Sequence, residues 1–114
     1  MNRHLKLIVN NENRNKTIFF NKEDLQLILN LYAKMVSAGE WKDYGLSISK
    51  KEISFDVYYR TSDIPAYKIS TNLSPKNENE KYIIKDSKNR IINKSQDLKI
   101  LIKKIVWKRF KLVN

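Results

Sequence analysis

From Leu25 to Val36 the apolar residues recur every three or four positions. Leu25, Ile28, Leu29, Tyr32, Met35 and Val36 fall on one side of a helix turning 100° per residue, and Gln26, Asn30, Ala33, Lys34 and Ser37 fall on the other. Asn21 stands where a side chain caps the first turn, and Glu23 and Asp24 favour the positive end of the helix. Phe20, before the cap, is placed to pack on Leu25. Gly39 supplies the left-handed residue that ends helices. The pattern predicts a core-packing helix of about four to five turns.

At Tyr44 the period changes to two. Tyr44, Leu46 and Ile48 alternate with Gly45, Ser47 and Ser49. After a turn at Lys50 and Lys51, Ile53, Phe55, Val57 and Tyr59 alternate with Ser54, Asp56, Tyr58 and Arg60. This is a hairpin with one apolar and one polar face. Residues 61–65 form a loop, and Pro65 suits the start of a strand because it donates no ladder hydrogen bond. Tyr67 and Ile69 continue as a third strand, with Lys68 on the opposite face. A polar loop from Asn72 to Glu80 contains Pro75. Tyr82, Ile83 and Ile84 pair with Arg90, Ile91 and Ile92 in a second hairpin around Ser87, Lys88 and Asn89. Neither of those strands alternates cleanly, so each is buried on both faces or short.

The last helix starts at Asn93 or Ser95, with Asp97 in its first turn. Leu98, Leu101, Ile102, Ile105 and Leu112 form its core stripe, and Ile100 and Trp107 fall nearly opposite. Leu5, Leu7 and Val9 alternate over a length sufficient for a short edge strand, followed by a polar connector from Asn10 to Lys16. The chain is therefore divided into a flexible N-terminal segment, 1–16, and one domain, 17–114. Its expected fold is α+β: an antiparallel meander of four to five strands, with an N-terminal and a C-terminal helix packed on one face.

Composition limits the chemistry. With 41% hydrophobic and 11% aromatic residues in 114, the chain can build one core. It has no cysteine, which removes disulfides, thiol catalysis and cysteine-based metal sites and fits a reducing compartment. The start lacks the apolar run of a signal peptide, and no run approaches the roughly 18 apolar residues of a membrane span. A cytoplasmic protein without a membrane span is expected.

Charge changes the picture more. The net charge is +11, and residues 81–114 hold 11 Lys or Arg against 2 Asp or Glu. A basic end suggests an anionic partner such as nucleic acid, a membrane surface or an acidic protein. The competing reading is drift toward A/T-rich codons with a solvated basic face. Lysine outnumbers arginine 18 to 5, and isoleucine (14) and asparagine (13) are abundant too.

Candidate chemistry is sparse. His4 is the only histidine, Gly39 and Gly45 are the only glycines, and no nucleophile elbow, phosphate loop or metal-binding motif is present. No cofactor and no metal is expected, and no catalytic residue is assigned. A corner candidate consists of Glu40, Trp41, Asp43 and Tyr44, where a carboxylate pair flanks an aromatic. The plainer alternative is that Trp41 plugs the end of the core. The candidate binding residues are Trp107, Lys103, Lys104 and Lys111 on the last helix, with Arg60 and Lys68 as a second patch beside Tyr58. Trp107 within a lysine face is suited to anchoring a partner, and Tyr58, Arg60 and Lys68 are types that stack on and neutralise RNA.

The stretch Leu31-Tyr32-Ala33-Lys34-Met35-Val36-Ser37-Ala38-Gly39-Glu40-Trp41-Lys42-Asp43-Tyr44-Gly45-Leu46 resembles the "LY…VAAGEWRDYAI" block of a small alphaproteobacterial family catalogued as a domain of unknown function. Tyr58-Tyr59-Arg60 and Pro65-Ala66-Tyr67-Lys68-Ile69 are similar to its "F-R-R…P-L-Y-R-I" block. Ile91-Ile92-Asn93-Lys94-Ser95-Gln96-Asp97-Leu98 corresponds to its "G-x-I-L-K-R-G-x-D-L" block, with Asn89 or Ser95 where the family has glycines. The resemblance spans Phe20 to Val113. It implies a bacterial cytosolic protein and brings no reaction, cofactor or partner. The first expectation for function is a non-enzymatic binding module for an anionic or protein partner. The alternatives are a small enzyme with a site at the helix–strand corner, and a structural subunit or homodimer through the Trp107 face.

Overall fold

A computed structural model of the chain describes residues 20–59 and 64–105. The expectations for residues 1–16 and for His4, Arg60, Trp107, Lys111 and Leu112 lie outside these residues. Helix α1 spans Lys22–Ser37. The Asp24 peptide N–H donates to Asn21 Oδ1 at 2.8 Å, which satisfies one of the first-turn donors left without a helical partner. At the other end Gly39 has φ +80°; its N–H donates to the Val36 carbonyl and the Glu40 N–H to the Met35 carbonyl, both at 2.9 Å. These two bonds make a Schellman stop, and they aim the chain directly into the sheet.

Five strands follow: β1 Asp43–Ile48, β2 Glu52–Tyr58, β3 Tyr67–Asn72, β4 Tyr82–Asp86 and β5 Ile91–Ser95. They pair antiparallel in chain order, β1-β2-β3-β4-β5. A single 3-10 turn, Glu78–Glu80, precedes β4, and helix α2, Leu98–Lys104, ends the described chain. The molecule is the expected α+β meander in its five-stranded form, with two helices.

The core lies between the helices and one face of the sheet. Ile28, Leu31 and Met35 of α1 and Leu98 and Leu101 of α2 meet Ile53, Phe55, Val57, Ile69, Tyr82 and Ile84. Alternate residues of each strand supply that face, as the two-residue period demands. The Tyr82 hydroxyl donates to Asp24 Oδ2 at 2.6 Å and ties β4 to the first turn of α1. Burial, and then the Asp24 carboxylate, push the Tyr82 phenol well above its ordinary value.

Three details differ from the periodicity. Leu31 takes a buried place on α1, while Val36 is exposed. The buried row is Ile28, Leu31 and Met35, so the helix is rotated relative to the expected stripe and Val36 falls at its wet margin. The last helix starts later than expected. Asn93 and Ser95 belong to β5, where they pair with Ile84 and Tyr82. Asp97 is the cap, and its Oδ1 accepts the Ile100 N–H at 3.1 Å. That helix also stops early, because Ile105 is already extended at φ −93° and ψ 135°.

Hairpin β4–β5 turns through Asn89, which has φ +67°. Asparagine tolerates this left-handed conformation better than other non-glycine residues, which suits a position where glycine would also serve. A bulge between Ile84 and Lys85 leaves Ile92 without an opposite residue, and Ile91 and Ile92 are both exposed. The broken alternation of that hairpin therefore reflects a bulge.

Candidate functional site

The corner is an aromatic joint. Trp41 is 1% exposed. Tyr32 packs edge-on against Tyr44 and Phe55, with centroids 5.1 and 5.9 Å away, and lies 6.2 Å from Trp41. Tyr44 stacks on Phe55 at 4.8 Å with the ring planes parallel within 1°, and Trp41 lies 6.4 Å from Tyr67. Such ring pairs contribute about 0.5–1.5 kcal/mol each beyond the area they bury. Asp43 is exposed, and its Oδ1 accepts the Tyr44 N–H at 2.8 Å. Glu40 is half-buried. Burial first, and the Asp43 charge second, raise the phenols of Tyr32 and Tyr44. Of the corner candidates, the structure buries Trp41 in the core, packs half-buried Tyr44 against that core and leaves Asp43 at the rim.

The buried carboxylate lies elsewhere. Asp56 is 5% exposed, on the sheet face away from the helices. Its Oδ1 accepts the Ser54 hydroxyl at 2.6 Å and its Oδ2 accepts the Ser47 hydroxyl at 2.9 Å. Lys68, directly opposite in register, brings Nζ to 3.7 Å from Oδ1. Gly45 faces Asp56 from the other side, and a Cβ there would meet the Tyr58 ring and hydroxyl at 4.0 Å. Lys68 is thus held by Asp56. Tyr58, beside Gly45, is half-buried. Ser70, opposite Ser54, is also buried, and its hydroxyl has no hydrogen-bond partner among the described residues.

Alternation assigns Asp56 and Lys68 to the polar face of the sheet without showing that the face is covered. The missed signal was side-chain size. Gly45, Ser47, Ser54 and Ser70 are all small, and small residues in a sheet let their neighbours close over them.

The basic surface comprises β4, β5 and α2. Residues 81–105 hold eight Lys or Arg and two Asp or Glu. Arg90 is neutralised by Asp86, with Nη2 2.9 Å and Nε 3.0 Å from Oδ2. The Arg90 peptide N–H lowers the Asp86 carboxyl from its ordinary value against a smaller desolvation cost, and the Arg90 side chain and Lys88 N–H add to that lowering. Lys94 pairs with Glu80 at 3.3 Å, and Lys81 lies 5.3 Å from the centre of the Tyr82 ring. Lys85, Lys88, Lys99, Lys103 and Lys104 have no acidic partner among the described residues. Lys103 and Lys104 occupy the last turn of α2, where the helix dipole favours cations. Ile91, Ile92 and Ile100 are exposed on the same elements, at 53%, 40% and 49%. Lys103 and Lys104 are both exposed. Ile100 is exposed off the core stripe, as the helical pattern predicts, whereas Ile91 and Ile92 are exposed by a bulge that has no sequence signature.

Among the described residues no group of three or more His, Asp or Glu is placed to hold a metal ion. No described helix is long and apolar enough to cross a membrane.

These features define a small α+β domain with an aromatic joint, a bonded polar sheet face and a basic end. The chain belongs to the family described as Protein of unknown function (DUF2794), whose profile matches residues 18–102, about three quarters of its length. No curated protein and no solved structure gives a significant match to the chain.

Proposed function

We propose that the protein is a non-enzymatic binding module of the cytoplasm whose basic end docks an acidic protein. The observation that carries this reading is the set of four exposed lysines without an acidic partner among the described residues, Lys88, Lys99, Lys103 and Lys104, in a stretch that also exposes Ile91, Ile92 and Ile100. Unpaired cations steer an anionic partner, and exposed aliphatic side chains supply the apolar area that a protein partner buries. A phosphate backbone would engage the lysines and leave the isoleucines wet, so an acidic protein fits better than nucleic acid. The sequence continues past α2 with Trp107, Lys108, Arg109 and Lys111, which extends the same chemistry. Lys68 is subordinate in this reading, because Asp56 already engages it. We read Glu40, Trp41, Asp43 and Tyr44 as a joint.

The test is fluorescence anisotropy with labelled polyglutamate and a labelled RNA oligomer, at about 50 and about 200 mM salt. The expected result is binding to polyglutamate that weakens at the higher salt, with RNA bound no more tightly. RNA bound at least tenfold more tightly, or no binding to either probe at low salt, would contradict the reading.

A further inference from the structure

The two ends of the sheet are built differently. Edge strand β5 carries the devices that discourage pairing with another chain: a bulge, Lys94 within the strand and Arg90 at its start. Edge strand β1 carries fewer. Its six residues run in unbroken register with β2, it contains no proline, and its only charge is Asp43 at the first position. Ser47, Ile48 and Ser49 are exposed, Ile48 at 43%, and among the described residues no strand pairs with the outer side of β1. The Ser49 N–H donates to the Glu52 carbonyl at 2.9 Å. By the alternation of an antiparallel ladder, positions 45, 47 and 49 then direct their peptide groups toward β2, and Leu46 and Ile48 direct theirs outward.

We propose that β1 is a homodimer edge: two copies pair antiparallel through Gly45–Ser49 about a two-fold axis at Ser47, joining their sheets into one of ten strands. The occupant is a second copy because the strand is complementary to itself when reversed. With Ser47 opposite its own counterpart, Leu46 lies beside Ile48 of the second copy on the helix-covered face. Exposed Ile48 then gains an apolar neighbour, and the outward peptide groups of Leu46 and Ile48 find partners. The flanking charges suit the same register: Asp43 at the start of the strand lies toward the Lys50–Lys51 turn of the other copy. A register one residue away would place side chains of opposite faces side by side.

The absence of native cysteine makes the test clean. Ser47→Cys puts one thiol at the two-fold, where a non-hydrogen-bonded pair has Cα atoms about 4.5 Å apart, within disulfide reach. Ser49→Cys is the control, because it would face Gly45 of the other copy. The expected results are three. The wild-type protein has twice the monomer mass by light scattering. Mild oxidation cross-links Ser47→Cys at least tenfold faster than Ser49→Cys. Ile48→Lys is monomeric, with an unchanged far-ultraviolet circular dichroism spectrum. A monomer mass for the wild type at every concentration overturns the proposal. So does a dimer in which Ser47→Cys cross-links no faster than the control, which would place the contact on another surface. None of these readouts depends on polyglutamate binding, so the two proposals stand or fall separately.

Discussion

The aromatic corner and the basic end lie at opposite ends of the described chain, and they solve opposite problems. At the corner, Tyr32, Trp41, Tyr44, Phe55 and Tyr67 form a chain of ring contacts just past the Gly39 stop. At the basic end a helix of seven residues sits on β5 and buries only Leu98 and Leu101 outright, while lysines and isoleucines face solvent. A helix that short adds little stability by itself. The contrast separates two properties: the corner holds the fold together, and the basic end is free to be surface. Substitutions at the first should change stability, and those at the second should change association.

The sharpest break in that contrast is Trp41→Ala. It should cost about 3–5 kcal/mol, read as a lower denaturation midpoint, because a fully buried ring leaves a cavity beside Tyr32 and Tyr67. A loss below about 1 kcal/mol would show that the corner is not the anchor. Asp56→Ala comes next. It leaves the buried Ser54 hydroxyl and Lys68 without their acceptor and should cost about 1–3 kcal/mol, measured by the same denaturation. Asp56→Asn should recover part of that loss, since the amide oxygen still accepts from serine.

Tyr82→Phe probes the seam between α1 and β4 and should cost about 1 kcal/mol through loss of the Asp24 bond. It also carries a pH signature. The Tyr82 phenol is raised in the folded state, so the folded protein holds that proton more tightly than the unfolded chain. Its contribution is fully present below the unfolded phenol value, near pH 10, and fades as pH rises toward the folded value. Wild-type stability should therefore fall above about pH 10, and Tyr82→Phe should fall less steeply. Parallel curves for the two proteins would remove Tyr82 as the cause.

The helix caps, the hairpin registers and the choice of one helix-covered face were legible because each has a local cause: Asn21, Gly39, and alternation from Leu46 through Val57. The boundary at Asp97 was less legible. Asn93, Ser95 and Asp97 are all competent caps, and only pairing with β4 assigns the first two to a strand. The burial of Asp56 is not legible, because alternation tells which face a residue takes and not whether that face is covered. Exposure on β5 is hidden for a similar reason. Ile91 and Ile92 look like core residues until a bulge alters the register.

The smallest expected effect on stability belongs to the basic end, and it tests the separation most directly. The variant Lys99→Gln, Lys103→Gln, Lys104→Gln lowers the net charge from +11 to +8 without touching a buried residue. Exposed substitutions of this kind change stability by about 0.5 kcal/mol or less each. The decisive measurement is polyglutamate affinity at low salt for this variant beside the wild type, with both melting curves recorded. The account predicts affinity at least tenfold weaker and a melting temperature within a few degrees of the wild type. Unchanged affinity, or weakened affinity that appears only because the variant has unfolded, would contradict it.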